Sequence, residues 1–158
     1  MSAGELPAIN VGAVRGQPDP ADPPGYRQRM ARLGPLLGAE MLGATVYELD
    51  PGESICPYHY EFGNEEWLLV LEGEPTLRTP DAEQRVAEGD VVCFPEGPAG
   101  AHKLTNHGEA LVRVLMLSTT LEPSVAIYPD SAKIGVWPPG KLFRERDAVE
   151  YYEDEPLA

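Results

Sequence analysis

Short strands separated by tight turns are the feature that most constrains how this chain can fold. Between residues 41 and 118, short apolar runs alternate with turn sequences rich in Gly, Pro, Asp and Glu. The turns recur about every 8 to 12 residues, a spacing typical of a β-sandwich or β-barrel. The sequence shows neither a long helical period nor a repeat of solenoid length. We therefore predict an all-β protein with its core over residues 41–120.

Two flanking segments differ from this core in composition. Residues 1–40 are predicted to be an irregular N-terminal arm, because many prolines near its start disfavour a helix or a central strand. Within the arm, residues 26–37 can form one helical turn or an irregular edge segment. Residues 121–158 are predicted to be a C-terminal extension packing on the barrel. Its acidic end is expected to pack through Tyr151 and Tyr152.

Composition and charge limit the function classes open to the chain. Its 158 residues suit one domain, and the formal net charge is -14. That charge repels phosphate backbones and anionic lipid, so neither nucleic acid nor a membrane surface is expected as the main partner. The sequence lacks a signal-peptide pattern and an apolar run of bilayer-spanning length, so a cytoplasmic protein is expected. Cys56 and Cys93 are predicted to be free thiols, with Cys93 a small core residue.

The candidate chemistry begins in the segment from 57 to 73. Residues two apart on an extended strand project from the same face, so His59 and Glu61 can point together into one cavity. Glu66 opens the apolar run that follows, and it is predicted to be a carboxylate directed into the barrel.

The strand that follows Glu66 is apolar on both faces. Leu68 and Val70 share the parity of Glu66, whereas the other face carries Trp67, Leu69 and Leu71. An exposed apolar strand face favours aggregation unless another segment or subunit covers it. Either the N-terminal arm or a second copy of the chain is therefore expected to cover this face, and a homodimer is predicted.

Two motifs in the core resemble those of the cupin superfamily. The first cupin motif places a His-x-His ahead of a Glu and a Gly, and its elements are matched by His59, Glu66 and Gly73. The second motif is similar to residues 89–106, although four residues rather than two separate its second Gly from its His. Its matching positions are Gly89, Pro95, Gly97, His102 and Asn106.

The resemblance implies a double-stranded β-helix, or jelly-roll, barrel of the kind found in small single-domain bacterial cupins. It also implies a metal ion held by three histidines and a glutamate. This chain departs from that pattern because Glu61 stands where the second histidine of the first motif belongs. His107 is not expected to replace it, since it has the opposite parity to His102 and lies in an Asn-His-Gly turn, which predicts a surface residue.

Two interpretations of the cavity follow. In one, His59, Glu61, Glu66 and His102 bind a divalent ion, with Fe or Mn favoured by the ligand set and Zn or Ni possible. Two carboxylates would neutralise that ion and weaken it as a Lewis acid. In the other, Glu61 points to solvent or to an arginine such as Arg113, no ion binds, and His59 and Glu66 hydrogen-bond each other.

Two classes of function are consistent with such a barrel. One is a metal-dependent enzyme, a dioxygenase or an isomerase or lyase, acting on a small polar substrate. The other is a non-catalytic protein that binds or senses a small molecule, with or without metal. The chain carries no helix-turn-helix pattern, which disfavours a transcription factor. Fold alone does not decide between the two.

Overall fold

The computed structural model describes residues 6–156 and consists almost entirely of short strands. One helical turn, α1 (Gly34–Leu37), and three short 3-10 turns complete it. The predicted all-β class is therefore confirmed. The strands are β1 (Gln17–Pro18), β2 (Gln28–Arg32), β3 (Leu42–Leu49), β4 (Tyr60–Phe62), β5 (Glu66–Glu72), β6 (Thr76–Arg78), β7 (Glu83–Arg85), β8 (Val91–Phe94), β9 (Lys103–Thr105), β10 (Val112–Thr119), β11 (Ser124–Tyr128), β12 (Lys133–Trp137) and β13 (Lys141–Arg144).

The strands form three antiparallel sheets around one apolar core. The largest sheet has the order β1-β2-β3-β10-β5-β8, the second β13-β12-β11-β4, and the third β7-β6-β9. Alternation in β5 sets its inner face, since Leu68 is 1% exposed while its neighbour Trp67 is 44% exposed. The buried core residues are Leu49, Ile55, Leu68, Val70, Leu77, Val86, Phe94, Leu104, Val112 and Val114.

The N-terminal arm is an edge of the large sheet. Residues 26–37 form both of the expected features, because β2 pairs with β3 and α1 follows directly. The arm also covers a buried ion pair on the outer face of the sheet. There Arg113 contacts Glu48 at 3.2 Å and donates to the backbone carbonyls of Val11 and Val14.

The C-terminal extension completes the second sheet. β11 pairs with β4 from the core, and β12 and β13 extend the sheet outward. The prediction that Tyr151 and Tyr152 anchor the acidic tail is wrong, since they are 85% and 80% exposed. The two rings contact each other edge to face, and the nearby Val149 is exposed as well, so these side chains give the tail no buried apolar anchor within the described residues up to 156.

Cys93 also lies on the opposite face from the one expected. Phe94 takes the inner position of β8 and is buried, so the alternation of the strand turns Cys93 outward, beside Trp67 on β5. Both cysteines are free thiols, as predicted. Within residues 6–156 no helix has the length and apolar character needed to cross a membrane.

Asn106 joins three backbone segments from a fully buried position. Its Nδ2 donates to the carbonyls of Leu49 and Ala110, and its Oδ1 accepts from the amide of Gly108. Removing the side chain leaves these groups without partners inside the protein, where each unsatisfied group costs about 1–3 kcal/mol.

We expect Asn106→Ala to lower the free energy of unfolding by roughly 2–4 kcal/mol, measured by urea denaturation. The matched control is His107→Ala at the exposed neighbouring position, which should change it by less than about 0.5 kcal/mol. Equal stability losses in the two variants would contradict this role for Asn106.

Candidate metal centre

A pair of backbone hydrogen bonds brings the two predicted histidines together. The His59 amide donates to the carbonyl of His102 at 3.2 Å, and the His102 amide donates to that of His59 at 2.9 Å. Directly opposed residues of an antiparallel pair place their side chains on the same face. The two imidazole centroids are therefore only 4.8 Å apart although the residues are distant in sequence.

Glu66, the first residue of β5, completes a compact cluster with these rings. Its Oε2 lies 3.7 Å from Nε2 of His59 and 3.6 Å from Nε2 of His102. One ligand atom from each of the three residues falls within 4.8 Å of the others. These distances exceed those of a hydrogen bond, so the structure does not contain the simple His59–Glu66 hydrogen bond of the metal-free interpretation.

The orientation of each imidazole is set by its other ring nitrogen. Nδ1 of His59 lies 3.0 Å from the carbonyl oxygen of Pro57, and Nδ1 of His102 lies 2.9 Å from that of Gly100. A carbonyl only accepts, so Nδ1 carries the proton and Nε2 presents its lone pair to the cluster. This is the tautomer of a metal-ligating histidine held by a backbone partner.

Aromatic rings hold the two imidazoles in place. Phe94 stacks on His102 with a centroid distance of 3.8 Å, and Tyr128 stacks on His59 at 5.7 Å. Sequence reasoning did not identify either ring as part of the site. Strand parity can direct Tyr128 toward the site only if β11 is known to pair with β4. The sequence alone does not specify that pairing.

Burial makes all three groups favour their neutral forms in the absence of an ion. Desolvation, with a smaller contribution from His59, lowers the pKa of His102 to about 4, and desolvation also lowers the pKa of His59. Desolvation, with repulsion from Glu61, raises the pKa of Glu66 to about 7. Opposite shifts of this kind, produced by burial beside a cavity, are a common property of functional sites.

Glu61 is directed toward the cluster. Its Oε1 lies 4.0 Å from Nε2 of His59, while its Oε2 accepts a hydrogen bond from Asn64 at 3.2 Å. Asn64 is itself held, because its Oδ1 accepts from Thr119 and from the Leu121 amide. The alternative in which Glu61 pairs with Arg113 is not observed, since that guanidinium lies against Glu48.

Two residues near these motifs in sequence are not part of the cluster. His107 is exposed, as predicted, and lies outside the barrel. Cys56 has its Sγ 3.5 Å from Nδ1 of His59, but burial, with the negative charges of Glu66 and Glu61, raises its pKa to about 12. The thiol therefore stays protonated near neutral pH and is a poor nucleophile.

A cavity of about 360 Å³ lies beside the cluster, between the second sheet and the end of β10. Glu61 and Tyr128 line the cavity and also lie beside His59, so the cavity reaches the groups that surround this histidine. Its size falls within the range of about 300–1,000 Å³ common for small-molecule sites.

The cluster is chemically suited to a divalent cation. Two imidazole nitrogens with free lone pairs and one carboxylate are established ligands of first-row metals. The carboxylate oxygen lies 3.6–3.7 Å from each imidazole nitrogen, close to the roughly 3–3.6 Å expected between two ligands that each lie about 2.1 Å from one ion, and the whole group lies within 4.8 Å. Glu61, the fourth predicted ligand, lies slightly farther out, with its Oε1 4.0 Å from Nε2 of His59, and is not one of the three grouped residues.

Comparisons with known proteins agree with this architecture. The family described as "Cupin domain" matches residues 45–118. A candidate sugar phosphate isomerase from Acidithiobacillus ferrooxidans is 25% identical, with a TM-score of 0.81 over 94% of this chain and 98% of that one. A sugar phosphate isomerase of the cupin superfamily from Silicibacter pomeroyi is 23% identical, with a TM-score of 0.78 over 90% and 95%.

A third solved structure shares the fold more loosely. The polyketide cyclase RemF from Streptomyces resistomycificus is 22% identical, with a TM-score of 0.59 over 74% of this chain and 82% of its own. No curated protein matches the sequence significantly. The jelly-roll barrel predicted from the paired motifs is thereby confirmed, and residues 45–118 match the cupin domain family.

Proposed function

We propose that this protein binds a divalent metal ion through His59, Glu61, Glu66 and His102 and acts on a small polar substrate in the adjacent cavity. The observation that carries the proposal is the convergence of two lone-pair nitrogens and a buried carboxylate beside that cavity. Holding such donors out of water is unfavourable without a cation, which supplies a physical reason for an ion at this position.

Fe(II) or Mn(II) is the preferred ion, with Zn(II) or Ni(II) as alternatives. Carboxylate oxygens suit Fe and Mn, whereas imidazole nitrogens are compatible with all four metals. Two carboxylates balance the charge of a divalent ion, so the centre is less electrophilic than one with three neutral histidines. It should therefore acidify a bound water less than a typical catalytic zinc site does.

An isomerase or lyase is the reaction class we favour. Two similar structures are described as sugar phosphate isomerases, one of them as a candidate. Both align with this chain over nearly their whole length. When bound, the ion would polarise a carbonyl or hydroxyl oxygen as a Lewis acid. The phenol of Tyr128 has its pKa raised, mainly by burial, so it keeps its proton and can donate a hydrogen bond to the substrate.

A dioxygenase is the second candidate, and the donor set itself supports it. His59, His102 and Glu66 provide two histidines and one carboxylate, the combination that oxygen-using non-haem iron enzymes present with open coordination positions. A third outcome, a protein that binds metal and ligand without turnover, is separated from both by activity measurements.

We further propose a cytoplasmic homodimer formed through the outer face of the large sheet. Trp67 pairs in register with Leu117 on β10 and remains 44% exposed. The arm residues that accept from Arg113 lie toward the other end of β10, so these contacts leave Trp67 uncovered. Of the two segments expected to cover this face, the N-terminal arm or a second copy of the chain, the second copy therefore remains.

Metal content tests the proposed centre directly. Protein purified without a His tag should contain about one Fe or Mn per chain by elemental analysis. Loss of an outer-shell partner of a metal ligand typically reduces metal affinity about 10- to 100-fold. Glu66→Gln should reduce it further, because it removes an anionic ligand. Glu61→Gln should reduce it by about 10-fold or more.

His107→Ala is the matched control for these variants. It removes an exposed histidine outside the barrel and should leave metal content unchanged. Full occupancy of the Glu66→Gln variant would contradict the proposed site. An unchanged affinity in Glu61→Gln would show that this residue is not a ligand.

Turnover separates the candidate reactions. Metal-loaded protein is incubated with a panel of small sugars and hydroxy acids, while oxygen consumption and deuterium incorporation from heavy water are followed. An isomerase or lyase should exchange substrate hydrogen with solvent without consuming oxygen. Oxygen consumption that depends on substrate would instead favour the dioxygenase, and stoichiometric metal with neither signal would favour the non-catalytic alternative.

Sedimentation velocity tests the dimer. We expect the wild-type protein to sediment as a dimer and Trp67→Lys as a monomer, because a buried unpaired charge opposes association. Tyr151→Lys, which alters an exposed aromatic residue in the tail, should remain dimeric. A wild-type monomer at micromolar concentration would contradict the proposal, and a chain lacking residues 1–25 would show whether the arm contributes.

A further inference from the structure

The cavity beside the metal centre presents hydrogen-bonding groups that are not committed elsewhere. Among the described residues, no protein partner engages the hydroxyls of Ser124 and Tyr128, the indole N–H of Trp137 or the carboxylate of Glu122. Other polar lining groups are already used: Asn64 binds Glu61, Thr119 and the Leu121 amide. The free groups are therefore those that a ligand would contact.

The three uncharged donors share one wall. Ser124 lies opposite Trp137 in the pairing of β11 with β12, and Tyr128, four pairs further along, is on the same face. Glu61 joins this face through its pairing with Ala126. Hydroxyl and indole donors beside carboxylates match the alternating hydroxyl groups of a polyol.

The Trp137 ring is a rigid part of this wall. It lies across Gly135 on the same strand, where an added Cβ would fall 2.3–2.4 Å from the six-membered ring of the indole. Only glycine therefore allows this ring position. A fixed aromatic ring with one polar edge suits a ligand that has both an apolar face and hydroxyl groups.

The charge of the cavity is unfavourable for a phosphate group. Its described lining includes the carboxylates Glu61 and Glu122 and contains no lysine or arginine. With a divalent ion balanced by Glu61 and Glu66, Glu122 still leaves one negative charge. A phosphate dianion would meet the exposed Glu122 carboxylate with no lysine or arginine in the lining to pair with, and like-charge contacts in a binding site are unfavourable.

Lys133 and Arg78 lie near the Tyr128 end of β11, but neither belongs to the cavity lining. Lys133, opposite Tyr128 on β12, has its Nζ over the Tyr128 ring, 5.3 Å from the centroid, and is not part of the lining. Arg78 is paired with Asp130 through two hydrogen bonds.

From these observations we propose that the cavity binds an uncharged, polyhydroxylated small molecule such as a free sugar and rejects its phosphorylated form, with Glu122 as a determinant of that choice. This inference rests on the proposed function for its catalytic meaning, and it distinguishes this chain from the similar structures described as sugar phosphate isomerases. The binding preference itself follows from the cavity and can be measured separately.

Tryptophan fluorescence provides the binding readout. The chain has two tryptophans, so Trp67→Phe leaves Trp137, on the cavity wall, as the only one. This variant is titrated with glucose, fructose and ribose and with their terminal phosphates, once loaded with Mn(II) and once treated with chelator. We expect at least one free sugar to change the fluorescence and to bind about tenfold or more tightly than its phosphate.

Charge variants test the reason for the preference. Glu122→Gln should reduce the discrimination against phosphate several-fold, whereas Glu88→Gln, the same change in an exposed turn, should not. Phosphates that bind more tightly than free sugars, and that lose affinity in Lys133→Ala, would overturn the proposal. A lack of response to every free sugar under both metal conditions would overturn it as well.

The design separates this inference from the metal proposal. Metal content is determined by elemental analysis on the same samples. Sugar binding in chelator-treated protein without measurable metal affinity would support the cavity inference while contradicting the proposed centre. Stoichiometric metal together with preferential binding of phosphates would support the proposed metal centre and contradict the cavity inference.

Discussion

The backbone pairing of His59 with His102 is the interaction on which the candidate site depends. It is an isolated bridge outside the regular strands, and its two hydrogen bonds align residues from separate motifs. Backbone geometry thus determines the relative position of the imidazoles before any side-chain contact is considered. The carbonyls of Pro57 and Gly100 then orient the rings, and Glu66 meets them from β5.

Burial gives this arrangement its chemical character. The same desolvation that lowers the pKa of both histidines raises that of Glu66, so without a cation the cluster is most stable with its members neutral. A divalent ion held by this cluster would favour the ionised form of the Glu66 carboxylate instead. Glu61 adds a second negative group at the cavity side, where Asn64 fixes its orientation. Glu61 and Tyr128, which both lie beside His59 and line the cavity, thus connect the candidate centre with the cavity.

Much of the barrel could be predicted from the sequence because its determinants are local. Turn residues mark the strand ends, and alternation in β5 distinguishes buried Leu68 from exposed Trp67. The same two-residue alternation of side chains along a strand places Glu61 near His59. The outward position of Cys93 was missed because an apolar edge strand has no clear alternation. Tyr128 and the tail depend on pairings between distant segments, which local pattern does not encode.

The division of the cavity between two stretches of sequence has a consequence for how ligand choice can change. The candidate metal ligands and the family match lie within 45–118, whereas β11 and β12, beyond it, provide Ser124, Tyr128 and Trp137. Exchanging the latter stretch for that of another barrel would alter which molecule is accepted while retaining the inorganic chemistry. The candidate ligands and much of the cavity wall therefore belong to separate stretches of the chain that can change independently.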